Sequence, residues 1–404
     1  MNDQNNGITP ANMDFTDTQH TFAHKSTREL KKSAWLFQLM ARPRLVKWGN
    51  AVAMYAAKAG LPVAWAVKPT LYQQFVGGET LEECKKTIEN LASRNISSIL
   101  DYAVEANETR TDFNKIMKET SASIQFSGNH AAVPFAVVKP TAIAHTKTLE
   151  KAAAKGKLTP DEALQHHEFT QRMEQLAMTA VEHNTLLLID AEDYAYQDAI
   201  DEIVINLMRR FNREKAILFN TWQMYRTDRL NHLKNTIETG RKANFKVGVK
   251  LVRGAYMEKE RECAKMKGYP SPIHPDKEKT DMAYNRALEL CMENLNQVAV
   301  FNGTHNEIST VYLAQLIKNA GLPKNHPSVW FAQLYGMSDP ITARLAKEGF
   351  NVAKYVPYGP VKEVLPYLSR RAIENTSVKG QTGRELQQIK SELARRKAIG
   401  ALKK

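Results

Sequence analysis

Apolar positions change their rhythm along this chain near residue 96. Before it, from about residue 26 to 95, "TRELKKSAWLFQLM" and "TLEECKKTIENLAS" set apolar side chains three and four residues apart, the spacing of amphipathic helices. After it come short apolar runs: "ISSILDYAV" (96–104), "PFAVVKP" (134–140), "NTLLLIDA" (184–191) and "KAILFNTW" (215–222). Four more follow in "KVGVKLVR" (246–253), "QVAVFNG" (297–303), "SVWFAQL" (328–334) and "NVAKYVP" (351–357). Helix-patterned stretches such as "DEALQHHEFTQRMEQLAMTAVEH" and "KTDMAYNRALELCMENL" separate most of them. Buried-type strands alternating with helices in this number predict an α/β fold, a (β/α)8 TIM-like barrel with an N-terminal helical extension; a doubly wound open sheet is the second choice. No fixed-period repeat or low-complexity linker interrupts the pattern. The expected organisation is a disordered N-terminus (1–25), N-terminal helices (26–95), one catalytic barrel (96–380) and a basic C-terminal helix or tail (381–404).

A polar or ionisable residue stands at or just after each apolar run: Glu105, Lys139, Asp190 with Glu192, Gln223, Lys250 with Arg253, Thr304-His305-Asn306, Gln333 and Tyr355. In a parallel barrel these ends form one face, the face that carries active sites. Solvation accounts for one such residue more easily than for the series. Lys139, inside "FAVVKPT", must be paired or functional. It reads as a Schiff-base lysine, a carboxylate ligand or a snorkelling strand-end lysine. Asp190 and Glu192 read as a carboxylate pair for metal or acid–base work, or as partners of a neighbouring lysine. Lys250 and Arg253, followed by Gly254 and Ala255, suit a phosphate-bearing cofactor; ordinary strand-end ion pairs are the plainer alternative. In "YLSRRAIENTS" (367–377), Glu374 lies one helical turn beyond both Arg370 and Arg371. That cluster is either a solvated face or an anion clamp, and its place after the eighth strand lets it reach back over the mouth.

Charge and composition narrow the classes. The 404 residues carry a net charge of +13, yet no zinc-finger spacing or RNP-like strand accompanies it, so nucleic acid is not the expected partner. A surface for anionic lipid, or a pocket for acidic ligands, uses the same excess. Cys84, Cys263 and Cys291 form neither a disulfide framework nor a CxxC site, which points to a reducing compartment. The stretch 50–67 holds Lys58 and a Gly-Leu-Pro break, a poor membrane span. The start resembles neither a signal peptide nor a transit peptide. His166 and His167 sit on a polar helix and no HExxH occurs, so no metal is expected; GxGxxG and Walker motifs are absent as well. The residues alone describe a barrel enzyme with a basic, partly phosphate-friendly mouth and an arginine pair for a small anionic substrate. A Schiff-base aldolase on Lys139 or Lys250, and a non-enzymatic basic binder, are the competing readings.

The motifs "FAVVKPT", "LLLIDAED", "NTWQMYRTD", "KLVRGAYMEKER", "NGTHN", "AQLYGMSD", "KYVPYG" and "YLSRRAIENTS", in this order over roughly residues 75–380, resemble the proline dehydrogenase (proline oxidase) family in its monofunctional form. The resemblance implies a barrel that holds FAD non-covalently and oxidises L-proline to Δ1-pyrroline-5-carboxylate by hydride transfer to flavin N5. Electrons would pass to a membrane quinone, the first step of proline catabolism. By that likeness Lys139, Arg370 and Arg371 grip the proline carboxylate, Tyr355 and Leu334 pack around the ring with Tyr367 near it, and Glu105 pairs with Arg370 as a gate. Asp190, Ala191, Gln223, Lys250, Arg253, Gly254, Ala255, Tyr256, Thr304, His305, Asn306 and Glu374 match flavin positions, Asp190 and Lys250 being the catalytic ones. Many bacterial members have arginine where this chain has Lys250, so a lysine is expected at N5. The same likeness implies a bacterial cytoplasmic protein peripherally attached to the inner membrane, or the matrix side of a mitochondrion, with the basic tail 390–404 touching lipid.

Overall fold

The computed structural model describes residues 13–59, 63–104, 108–377 and 381–402. The apolar runs become β1 (Ser97–Tyr102), β2 (Phe135–Val138), β3 (Leu186–Ile189), β4 (Leu218–Gln223), β5 (Val247–Val252), β6 (Val298–Gly303), β7 (Val329–Leu334) and β8 (Val352–Tyr358). Neighbours in sequence pair in parallel, and β8 closes on β1 from Ser97↔Ala353 to Tyr102↔Tyr358. That closure decides for the (β/α)8 barrel over the open sheet.

Strand alternation divides the interior into layers. Toward the strand starts, Phe135 packs edge-on against Phe219, Phe301 and Trp330 at centroid distances of 5.8, 5.1 and 5.1 Å. Ile99, Val137, Leu188 and Ala353 join the same buried cluster. Two residues further along these strands, and therefore on the same inward side, stand Asp101, Lys139, Asp190 and Tyr355. The aromatic plug fills one end and leaves chemistry to the other.

The N-terminal helices cover that other end. Ser26 and Glu29 form a reciprocal capping box that starts the Thr27–Met40 helix. Leu30, Phe37 and Met40 then pack with Tyr72, Phe75 and the Leu365–Ser377 helix in a second core cluster. The chain crosses the rim where Tyr72 Oη donates to Gly359 O at 2.9 Å and Gly77 N to Pro357 O at 2.8 Å. The Gln381–Leu402 helix lies on Thr27–Met40.

The first 25 residues differ from the disorder expected of them wherever they are described. Asp17 caps a Thr18–Phe22 helix, Met13 and Phe15 are buried, and Gln388 Nε2 donates to Phe15 O at 3.0 Å. Their partners are the Gln381–Leu402 and Asp339–Glu348 helices, too distant in sequence for local composition to reveal. Among the described residues no helix is long and apolar enough to cross a membrane.

Candidate functional site

Two ion pairs line the polar layer of the barrel. Lys139 Nζ bonds Asp101 Oδ1. Lys250 Nζ donates to Asp190 Oδ1 at 2.5 Å and to the Tyr355 hydroxyl at 2.7 Å, and that hydroxyl donates to the same Asp190 oxygen at 3.1 Å. The triangle locks three strand ends together. Burial alone lifts a carboxyl pKa, yet the Lys250 and Lys139 ammonium groups hold Asp190 below its usual range. Burial works against a charged Lys139, but Asp101 and Asp190 keep its pKa raised. A free-amine nucleophile is the form this setting suppresses, which counts against a Schiff-base role for Lys139. Burial, with the Asp190 and Asp101 charges, pushes the Tyr355 phenol well above its ordinary value, so it stays a neutral donor.

These two cations and two anions cancel. Arg370 and Arg371, both half-buried, are brought to the mouth by the Leu365–Ser377 helix. Arg370 acts on the Tyr256 phenol and Arg371 on the His305 imidazole, which places the pair over the ends of β5 and β6. The Arg371 guanidinium also lies 5.4 Å from the Tyr367 ring, itself buried against the N-terminal helices. Leu334 ends β7 in register with Tyr355 on β8.

The remaining positions form a rim. At Gly254, φ is +128°, and a Cβ there would come within 2.4 Å of the Tyr225 ring; glycine is required for the turn. Past half-exposed Gly254 and exposed Ala255, Tyr256 begins the Met257–Lys267 helix with no side-chain cap. Its first amides suit an anion. Gln223, buried at the inward end of β4, has an Oε1 without a hydrogen-bond partner. An orphaned buried acceptor is costly, and a ring N–H of a bound cofactor is a fitting donor. Half-buried Ala191 follows β3. His305 Nδ1 and Ser338 Oγ are 2.8 Å apart. Burial, with Lys354, Arg371 and Arg253, drives the His305 pKa down to about 3, leaving a neutral ring. Beside it His305, Asn306, Ser338, Ile341, Arg384 and Glu385 bound a cavity of about 400 Å³, a size that accepts a small aromatic group.

Some expected contributors serve the frame. Arg253 donates to Asp281 (2.7 Å), Thr304 Oγ1 (2.7 Å) and Ser309 Oγ (3.0 Å), with its guanidinium 4.4 Å from the Tyr284 ring. It braces β5 against β6. Asn306 caps the Glu307–Asn319 helix through Ser309 N. Gln333 donates to Thr304 O and accepts from Thr342. Glu105 lies outside the described residues, and so does the side chain of Glu374.

Glu192 parts from Asp190. It accepts from Thr141 Oγ1 at 2.6 Å, with Tyr256 Oη at 3.4 Å, and burial pushes its carboxyl up to about 7. The two carboxylates thus do not converge, and no metal-binding group of three occurs among the described residues. Asp101 was passed over in the sequence because it sits inside an apolar run. The signal was its parity: it lies two residues after inward Ile99.

Comparison with known proteins adds lineage to this geometry. The sequence profile described as proline dehydrogenase matches residues 84–384. The chain is 36% identical over 322 residues to a carbapenem antibiotics biosynthesis protein, CarD, of Pectobacterium carotovorum, covering 80% of this chain and 83% of that one. It is 41% identical over 249 residues to the human mitochondrial proline dehydrogenase 1, covering 61% of this chain but 42% of the human one. Among solved structures, proline utilization A from Bdellovibrio bacteriovorus superposes with a TM-score of 0.73 at 18% identity, over 90% of this chain and 41% of that chain. That last likeness is one of fold.

Proposed function

Because the chain belongs to the proline dehydrogenase family, we propose that it oxidises L-proline to Δ1-pyrroline-5-carboxylate, with non-covalent FAD as cofactor and a membrane quinone as final acceptor. The observation that carries this reading is the convergence on one mouth of Lys139, Lys250 and Tyr355 from the strand ends with Arg370 and Arg371, which act on Tyr256 and His305.

Bound FAD supplies the two-electron acceptor for the Cδ–H bond. The protein's share is orientation, which for hydride transfer matters more than acid–base groups. Arg370, Arg371 and Lys139 take the carboxylate, for which guanidinium forks are well matched. Tyr355 and Leu334 wall the ring, and the Tyr355 hydroxyl, held by Lys250 and Asp190, leaves little room for a hydroxylated one. Gln223, Lys250, His305 and the amides after Gly254 are the groups suited to the cofactor, with Ala191, Thr304, Asn306 and Glu374 around it. Glu105 is assigned as the gate that latches to Arg370. A quinone acceptor makes this a peripheral membrane enzyme.

The purified protein is expected to be yellow, with a flavin spectrum bleached by L-proline under anaerobic conditions; a colourless protein that takes up no FAD overturns the reading. Arg370→Met and Arg371→Met are each expected to raise KM for L-proline by about 1.5–3 kcal/mol, roughly 10- to 150-fold, with flavin retained. Unchanged kinetics in both variants removes the clamp.

A further inference from the structure

The Pro43–Lys58 helix carries Leu45, Trp48, Val52 and Tyr55 three and four residues apart, and so along one face. That face is in water: Trp48 is 70% exposed and Tyr55 76%, and Trp65 of the following Ala64–Val67 helix is 78% exposed. The helix already packs on Leu365–Ser377 and on Thr27–Met40, so its core-facing role is filled. A residual stripe of large apolar side chains marks a binding surface.

Charge names the occupant. Between Glu29 and Glu79 the chain has no Asp or Glu, while Arg42, Arg44, Lys47 and Lys58 flank or interleave the stripe; Lys68, further on, pairs with Glu79. Arg42 and Arg44 are exposed where the helix begins. Tryptophan and tyrosine among cations of a single sign suit the headgroup level of an anionic bilayer. No described helix is built to span one. The other basic candidate, the C-terminal helix, turns Arg395 and Arg396 onto buried Glu392.

We infer that the outward face of the Pro43–Lys58 helix, with Trp65 beyond it, docks on an anionic lipid bilayer. The attachment point is then the helix that packs directly on the arginine-bearing Leu365–Ser377 helix. The inference rests on the proposed membrane quinone only for its purpose; the contact itself is read from these side chains.

The test is flotation of the purified holoprotein with vesicles of phosphatidylcholine alone, or carrying about one-third phosphatidylglycerol, without proline or quinone. Wild type is expected to float with the anionic vesicles and to be released by salt. Trp48→Glu and Tyr55→Glu are expected to weaken flotation by at least about tenfold, while Met178→Glu, at an exposed apolar site on the far Pro160–Glu182 helix, does not. Both stripe variants should keep their melting curves and proline–dye turnover. Wild type that stays unbound overturns the inference, as do stripe variants that float normally. Variants that lose self-association in sedimentation at unchanged lipid binding assign the face to a second copy instead. Loss of proline–dye turnover in wild type counts against the proposed reaction and leaves the flotation result standing.

Discussion

Asp190 and Glu192 are two residues apart, yet their surroundings push their carboxyl groups in opposite directions. Asp190 is held down by Lys250 and Lys139; Glu192 has a hydroxyl for company and is carried from 4.5 to about 7 by burial. The folded protein thus keeps a proton on Glu192 that the unfolded chain releases between pH 4.5 and about 7. Stability contributed by this group falls as pH rises through that window and levels off above it. The full loss is on the order of 3 kcal/mol. Glu192→Gln keeps the acceptor for Thr141 and removes the titration, so its stability should rise relative to wild type between pH 5 and pH 8, by about 2 kcal/mol. Urea unfolding at the two pH values measures it, and parallel curves for the two proteins sink the idea. The sequence made this pair visible as "DAED" but not its divergence, because the deciding neighbours Thr141, Lys139 and Lys250 come from other strand ends.

At the scale of elements, the strands were readable and the helical margins were not. An apolar run of six or seven residues ending in a polar one states both its strand and its mouth end, since alternation fixes which side faces in. Arg253 and Gln333 show the limit: each stands at a strand end, but each spends its polar atoms on neighbouring elements. The Gln381–Leu402 helix is the clearer case, reading as a basic tail while it docks by Ile389 in the roof cluster and by bonds from Gln388 to Phe15 O, from Thr18 to Glu392 and from Arg396 to Phe22 O and Lys25 O. Bonds from Arg395, opposed by burial and joined by bonds from Arg396 and Thr18, lower the Glu392 pKa to about 2. That stabilisation is complete above the unfolded value of 4.5 and is lost as pH falls through about 2. Glu392→Ala removes the Thr18 bond and the carboxylate that orients Arg395 and Arg396, so this end of the helix should loosen and trypsin should cut at Arg395 and Arg396 faster than in wild type, before the barrel unfolds. Cleavage as slow as in wild type removes Glu392 as the anchor.

The whole molecule is a barrel whose mouth is roofed by chain from both termini. Phe22, Phe37, Tyr72, Phe75, Val364, Tyr367 and Leu368 share one cluster, so the arginine-bearing helix is fixed as much by the first 75 residues as by the barrel. Contacts spanning some 300 residues leave no local pattern, which is why the roof was legible only as amphipathic helices without a partner. If the arginines grip the substrate, loosening the roof has to reach the chemistry without touching it. Phe37 offers the cleanest lever. It is fully buried on the Thr27–Met40 helix, meets Phe75 edge-on at 6.4 Å and carries no polar atom of its own. Phe37→Ala removes about 3–5 kcal/mol of packing from the roof. Displacing the clamp by a fraction of an ångström should then raise KM for L-proline by about tenfold. The flavin spectrum should persist, because Gln223, Lys250 and the amides after Gly254 belong to the barrel. Proline kinetics, flavin absorbance and a thermal melt on one preparation separate the outcomes. A raised KM with bound flavin ties the roof to the substrate side, and unchanged KM despite a loosened Thr27–Met40 helix would show that the barrel alone positions Arg370 and Arg371.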